Sequence, residues 1–131
     1  MNLFYFWDMK LESVLRYLLP SEILEYFDLV KIEESSTGEL LFCLDEKLQK
    51  PLEHSDKELL SKEFDDPVLI QDFPLRDRAV YFKVRRRKWI DKHTNKVYST
   101  NWHLTATGTS YTKGFAAFLK EFLGQLPHKQ Q

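Results

Sequence analysis

The stretch from 80 to 89, VYFKVRRRKW, changes character halfway along one strand-like run. Strand side chains alternate between faces, so Val80, Phe82 and Val84 share an apolar face that turns basic at Arg86 and Lys88, while Lys83, Arg85 and Arg87 lie on the other. The first half can cover a core. The second half carries cations on both faces and would cost desolvation energy if buried, so it is expected to project from the sheet into water or onto a polyanion. A turn, DKHTN, and a further strand, KVYSTNWHL, complete a basic β-hairpin. Lys92 and Lys96 extend its charge, and Trp89, Tyr98 and Trp102 are close enough in sequence to pack across it.

The rest of the chain supplies the framework for that arm. Apolar residues recur at helical spacing from Asp8 to Leu19 and stop at Pro20, after which PSEILEYF predicts a short helix with Ser21 as its N-cap. DLVKIEESSTGELLFCLDEK reads as a hairpin around Ser36-Thr37-Gly38. Residues 46–58 are polar, contain Pro51 and show no period, which makes them a loop or linker. PVLIQDF and RAVYFKVRRRKWI have strand composition, separated by Pro74 and the charged RDR, where a turn is expected. From Thr112, a plausible N-cap, the residues Phe115, Ala116, Phe118, Leu119, Phe122 and Leu123 repeat helically until Gly124 and Pro127.

These elements predict an α+β fold. N-terminal helices and a small hairpin (1–45) are followed by a linker (46–58), a metal-free, ribbon-like antiparallel sheet with the basic hairpin (59–104), and a C-terminal helix and tail (105–131). The start of the chain has no basic n-region and no apolar run long enough for a bilayer, so neither a signal peptide nor a membrane span is expected, and the single Cys43 suits a reducing cytoplasm.

The net charge of -1 conceals a division. Residues 1–75 hold seven Lys and Arg against seventeen Asp and Glu, and residues 76–131 hold twelve against three. Such asymmetry points to an acidic partner, and an acidic half folding onto a basic half produces it equally well. In the first case Lys83, Arg85, Arg86, Arg87, Lys88, Lys92 and Lys96 contact DNA phosphates. About five such contacts give a log-log salt slope near -4 to -5, at roughly 0.9 per contact. In the second the arm is a charged, Trp-buttressed edge that resists strand aggregation.

Catalysis finds little support. EFDDP (63–67) is the densest acidic group and reads as a solvated turn, His93 beside Asp91 has no nucleophile near it, and Cys43 reads as a small core residue. The four histidines and one cysteine offer no tetrahedral ligand spacing, and the four glycines form no phosphate loop, so no metal or cofactor is expected.

The order VLIQDFPLRDRAVYFKVRRRKW, with LLPSEILEYFDLVKIE before it and TNWHLTATGTSYTKGFAAFLKE after it, resembles the N-terminal region of bacterial insertion-sequence transposases, in which a zinc ribbon and a helix-turn-helix precede a DDE nuclease. It looks most like the Aon-type N-terminal region proteins of that group, over about Leu18 to Leu123. Where zinc-ribbon relatives place Cys-x-x-Cys, this chain has IDKHTNKVYS, so the resemblance implies a ribbon without metal, with Trp89, Tyr98 and Trp102 supplying the burial. It further implies a non-catalytic module that binds double-stranded DNA at terminal inverted repeats, works with a separately encoded DDE transposase polypeptide, and is compatible with a homo-oligomer. The competing expectation is a protein-interaction module that docks on that nuclease without touching DNA.

Overall fold

The computed structural model describes residues 13–124. Helix α1 (13–18) ends before Pro20, as its periodicity predicts; residues 8–12 of the expected helix lie outside the described residues. Helix α2 (Ser21–Tyr26) follows at once. Its N-cap is Pro20 and not Ser21, which is the first helical residue: Pro20, at φ -54° and ψ 138°, already supplies the extended cap conformation, and no side chain caps the helix.

Strands β1 (Phe27–Glu34) and β2 (Leu40–Glu46) form the expected hairpin, turning at Gly38, whose φ of 84° suits a residue without a Cβ. The loop after β2 contains one 3-10 turn, Leu52–His54, and leads to β3 (Leu59–Phe64), which the sequence pattern did not reveal. Strand β4 (Val68–Leu75) turns through Arg76 and Asp77, both at positive φ, into β5 (Arg78–Arg85).

Here the structure corrects the single long strand expected over 78–90. The ladder breaks at Arg86, and β6 (Arg87–Asp91) leaves for a different sheet. The further strand expected over 96–104 shrinks to β7 (Val97–Tyr98); beyond it Trp102 packs on Tyr26 and Phe27, and His103 adopts a φ of 51° that no strand can continue. Helix α3 (Lys113–Leu123) is capped by Thr112, whose hydroxyl accepts the Phe115 N–H, and ends at Gly124 in the left-handed region.

The α+β class therefore stands, with two sheets in place of one ribbon. The first has the order β1-β2-β5-β4, in which β2 and β5 run parallel and the other pairs antiparallel. The second, β3-β6-β7, is antiparallel. The parallel pair needs a crossover, and residues 47–77, with β3 and β4, provide it. Strands from either side of the 46–58 loop thus share one sheet and one core.

That core comprises Leu19, Ile23 and Phe27 under Phe42 and Leu44 of β2, Ile70 of β4, and Val80, Phe82 and Val84 of β5. Alternation places the three β5 residues on one face, where Phe82, 1% exposed, meets Phe42 edge to face at 6.1 Å. Complete burial of a side chain of this size contributes about 1.5–3 kcal/mol. Within β4, Asp72 is buried and accepts a 2.7 Å bond from the Thr112 hydroxyl, which fastens the start of α3 to the sheet.

Candidate functional site

The basic run does not project. Between Arg85 and Lys88 every side chain is only partly exposed, and each is held by a group from the acidic half. Arg85 and Asp45 are register neighbours in the parallel pair, and the guanidinium makes two bonds to the carboxylate, at 2.7 and 2.6 Å. Arg87 donates from Nε to the Glu46 carbonyl at 2.9 Å and from Nη1 to the Ser61 hydroxyl at 3.0 Å. Both guanidiniums lie over the Phe64 ring, 4.3 and 4.6 Å from its centroid. Arg86 reaches the Thr100 carbonyl at 3.3 Å and Asp65 at 3.5 Å, and Lys88 stands 3.6 Å from Asp65 and 3.7 Å from Glu63. Arg78 adds an ion pair with Glu34.

These contacts account for part of the charge asymmetry. Second-half cations pair with first-half acids, and they do so where β5 and β6 part, so the run clamps the two sheets together. The expected projecting arm is overturned for Arg85, Arg86, Arg87 and Lys88: their desolvation is offset by specific partners, which a sequence pattern cannot display.

The other expected contact residues are scattered. Lys83 lies on the outer face of β5, in register with Cys43, which in turn pairs with Lys31; burial pushes the Cys43 thiol up from its ordinary value. Lys92 and Lys96 are exposed in the turn after β6 and make no ion pair among the described residues. His93 stands 3.6 Å from Glu58 and not against the Asp91 carboxylate as an acid-base partner.

Asp91 is instead the organiser of this turn, accepting the backbone N–H groups of His93 at 2.8 Å and Thr94 at 3.4 Å. The His93 bond above all holds its carboxyl below the usual value, with burial opposing. A lowered folded-state value means that the turn's stabilisation is complete above the unfolded value of about 4 and is lost as pH falls through the lowered one. The difference in urea midpoint between wild type and Asp91→Ala should be constant above about pH 5 and narrow below about pH 4; a difference unchanged down to pH 2 would rule this role out.

The hairpin aromatics divide. Trp89 is buried and faces Tyr98 across β6 and β7, and Tyr98 also stacks on His54 at 4.3 Å. Trp102 does not join them. Its ring lies 4.6 Å from Tyr26 and 5.5 Å from Phe27, and its Nε1–H donates to Glu46 at 2.7 Å.

A different surface stands open. Phe118, Phe122 and Leu123 belong to the helically spaced apolar repeat of α3, which buries only Phe115 and Ala116. Phe118 is 40% exposed and Phe122 66%, and their rings form a run with Phe73: 5.5 Å from Phe73 to Phe118 and 4.7 Å from Phe118 to Phe122. Phe73 also lines a cleft of about 390 Å³ with Tyr17, Leu18, Leu104 and Lys113, floored by Ile23 and Phe82.

Among the described residues no three His, Cys, Asp or Glu side chains gather to hold a metal ion, and no helix is long and apolar enough to cross a membrane. Compared with family models, curated proteins and solved structures, the chain matches none.

Proposed function

We propose that the chain is a non-catalytic protein-interaction module whose contact surface is the exposed aromatic face that Phe73 of β4 forms with Phe118 and Phe122 of α3, beside the cleft Phe73 lines. The observation that carries this reading is the aromatic run Phe73, Phe118 and Phe122, in mutual contact and open to solvent, since contiguous exposed apolar surface on a folded domain marks a binding site. The clamp supports it from the other side, because phosphate contact by Arg85, Arg86 and Arg87 would have to compete with bonds already made. In the setting the resemblance implies, the partner is the separately encoded DDE nuclease polypeptide.

A second reading retains DNA contact, through the turn alone. Lys92 and Lys96 are exposed and unpaired among the described residues, and two phosphate contacts would give a log-log salt slope near -2.

Two titrations separate the readings. Calorimetry with the nuclease polypeptide should show binding that changes little with salt and weakens about tenfold or more in Phe118→Ser/Phe122→Ser, as expected for removal of central apolar anchors. Fluorescence anisotropy with labelled duplex should show none. Salt-dependent duplex binding that disappears in Lys92→Ala/Lys96→Ala, with no binding of the nuclease, would replace the first reading by the second.

A further inference from the structure

We propose a second docking site, in the cleft beside Tyr26 and Trp102, for a short segment of a partner protein bearing lysine or arginine. It lies on a different surface from the α3 face and does not depend on that reading. The cleft is about 450 Å³, with an aromatic wall, an apolar lip and an acidic rim. Tyr26 and Trp102 form the wall, their rings inclined at 33°. The indole is fixed in place, because its N–H is taken by Glu46, a carboxylate only 2% exposed, and Phe27 meets it edge-on from the core. A partner therefore meets a platform whose orientation is already set.

The lip is Leu52, 91% exposed at the start of the 3-10 turn and next to Pro51. The rim carries Glu25 and Glu53, both exposed and neither in an ion pair among the described residues. Lys50, the one cation lining the cleft among the described residues, already donates to the Ser55 carbonyl at 3.3 Å.

Charge complementarity identifies the occupant. While Asp45, Glu63 and Asp65 are engaged by the clamp, Glu25 and Glu53 retain their demand for a positive partner. Aromatic faces attract a guanidinium or ammonium through the ring quadrupole, and the alkyl stem of such a side chain lies along apolar surface of the kind Leu52 offers. An acidic segment or a nucleic acid would meet repulsion at both rim positions.

The test is an NMR titration of the ¹⁵N-labelled full chain with a decapeptide of alternating arginine and glycine, beside a glutamate-glycine decapeptide and decaproline. Shift changes with the arginine peptide should gather at Tyr26, Gln49 to Glu53, Thr100 and the Trp102 indole. Affinity should fall about tenfold in Glu25→Gln/Glu53→Gln and to a similar degree in Leu52→Ser, the size expected from losing one desolvated cation contact. Asp66→Asn/Glu121→Gln, which removes the same charge elsewhere, should change it by less than about twofold. Equal weakening by both charge pairs would reduce the effect to diffuse attraction and overturn the site. So would shifts outside the cleft, no shifts at all, or tighter binding of decaproline, which would assign the aromatic wall to proline instead.

Discussion

Replacing Trp102 by alanine should lower the unfolding free energy by about 4 kcal/mol, and the damage should appear at α2 and β1 and not in the hairpin of β6 and β7. Two costs combine. The indole is only partly buried, so its loss belongs near the lower end of the roughly 3–5 kcal/mol usual for removing a large aromatic from a core. The same change strips the Nε1–H donor from Glu46, whose carboxylate is almost fully enclosed, and an abandoned buried acceptor costs about 1–3 kcal/mol.

A urea titration gives the sum, and hydrogen exchange gives the location: amides of Ser21 to Glu34 should lose protection while those of Arg87 to Tyr98 keep theirs. Trp102→Phe separates the terms in large part, since it keeps an aromatic ring against Tyr26 and Phe27 while removing the N–H and a portion of the indole. It should cost about 1–3 kcal/mol, and a cycle with Glu46→Ala should show that most of this is shared between the two positions. Loss of protection confined to the hairpin would return Trp102 to the role its sequence position suggested.

Trp102 also shows where reading the sequence reaches its limit. Elements with a local cause were legible: the stop at Pro20, the turn at Gly38, the Thr112 cap and Gly124 terminus of α3, and the alternation that buries Val80, Phe82 and Val84. Each depends on a neighbour a few residues away. The parallel pairing of β2 with β5 spans about forty residues and follows from no local pattern, so the two sheets could not be anticipated from strand composition. The break at Arg86 was hidden for the same reason, as it depends on β3, whose sequence LLSKEF alternates weakly.

At the candidate site the difference from expectation has a physical origin. A run of cations is expected to project because burial without partners is costly, and the partners that hold it against the sheets, Asp45, Ser61, Phe64 and Asp65, lie 20 to 40 residues upstream. One signal for them was present: the halves carry nearly equal and opposite charge, and internal neutralisation is the simplest consequence. In α3, Phe118 and Phe122 continue the helical apolar repeat, but β4 buries only Phe115 and Ala116 and leaves Phe118 and Phe122 open to solvent.

Replacing Arg85, Arg86 and Arg87 together by alanine should cost about 3 kcal/mol of stability, which at an ordinary urea dependence lowers the midpoint by about 1.5 M. Arg87 should dominate. It bonds the end of β2 at Glu46 and β3 at Ser61, so it joins the two sheets, and its loss leaves the Glu46 carbonyl without its donor and Phe64 with Arg85 alone; Arg87→Ala alone should account for about 2 kcal/mol. The Arg85 side chain is 44% exposed, and its geometry with Asp45 supports a coupling of about 0.5–1 kcal/mol in a double-mutant cycle. Arg86, with both bonds at 3.3 Å or longer, should contribute least. Salt provides the control, because the partly exposed pairs are screened at 1 M, where the Debye length is about 3 Å, and the Arg85–Asp45 coupling should shrink there while the Arg87 carbonyl bond is largely kept. The experiment also decides how any DNA assay can be read. A solvated arm built to meet phosphates would lose its charge with no change in urea midpoint, and a duplex-binding defect would then belong to the arm. With the clamp, the same triple variant loses stability and charge together, so the nucleic-acid question has to be put to Lys92 and Lys96, where charge can be removed while the sheets stay joined.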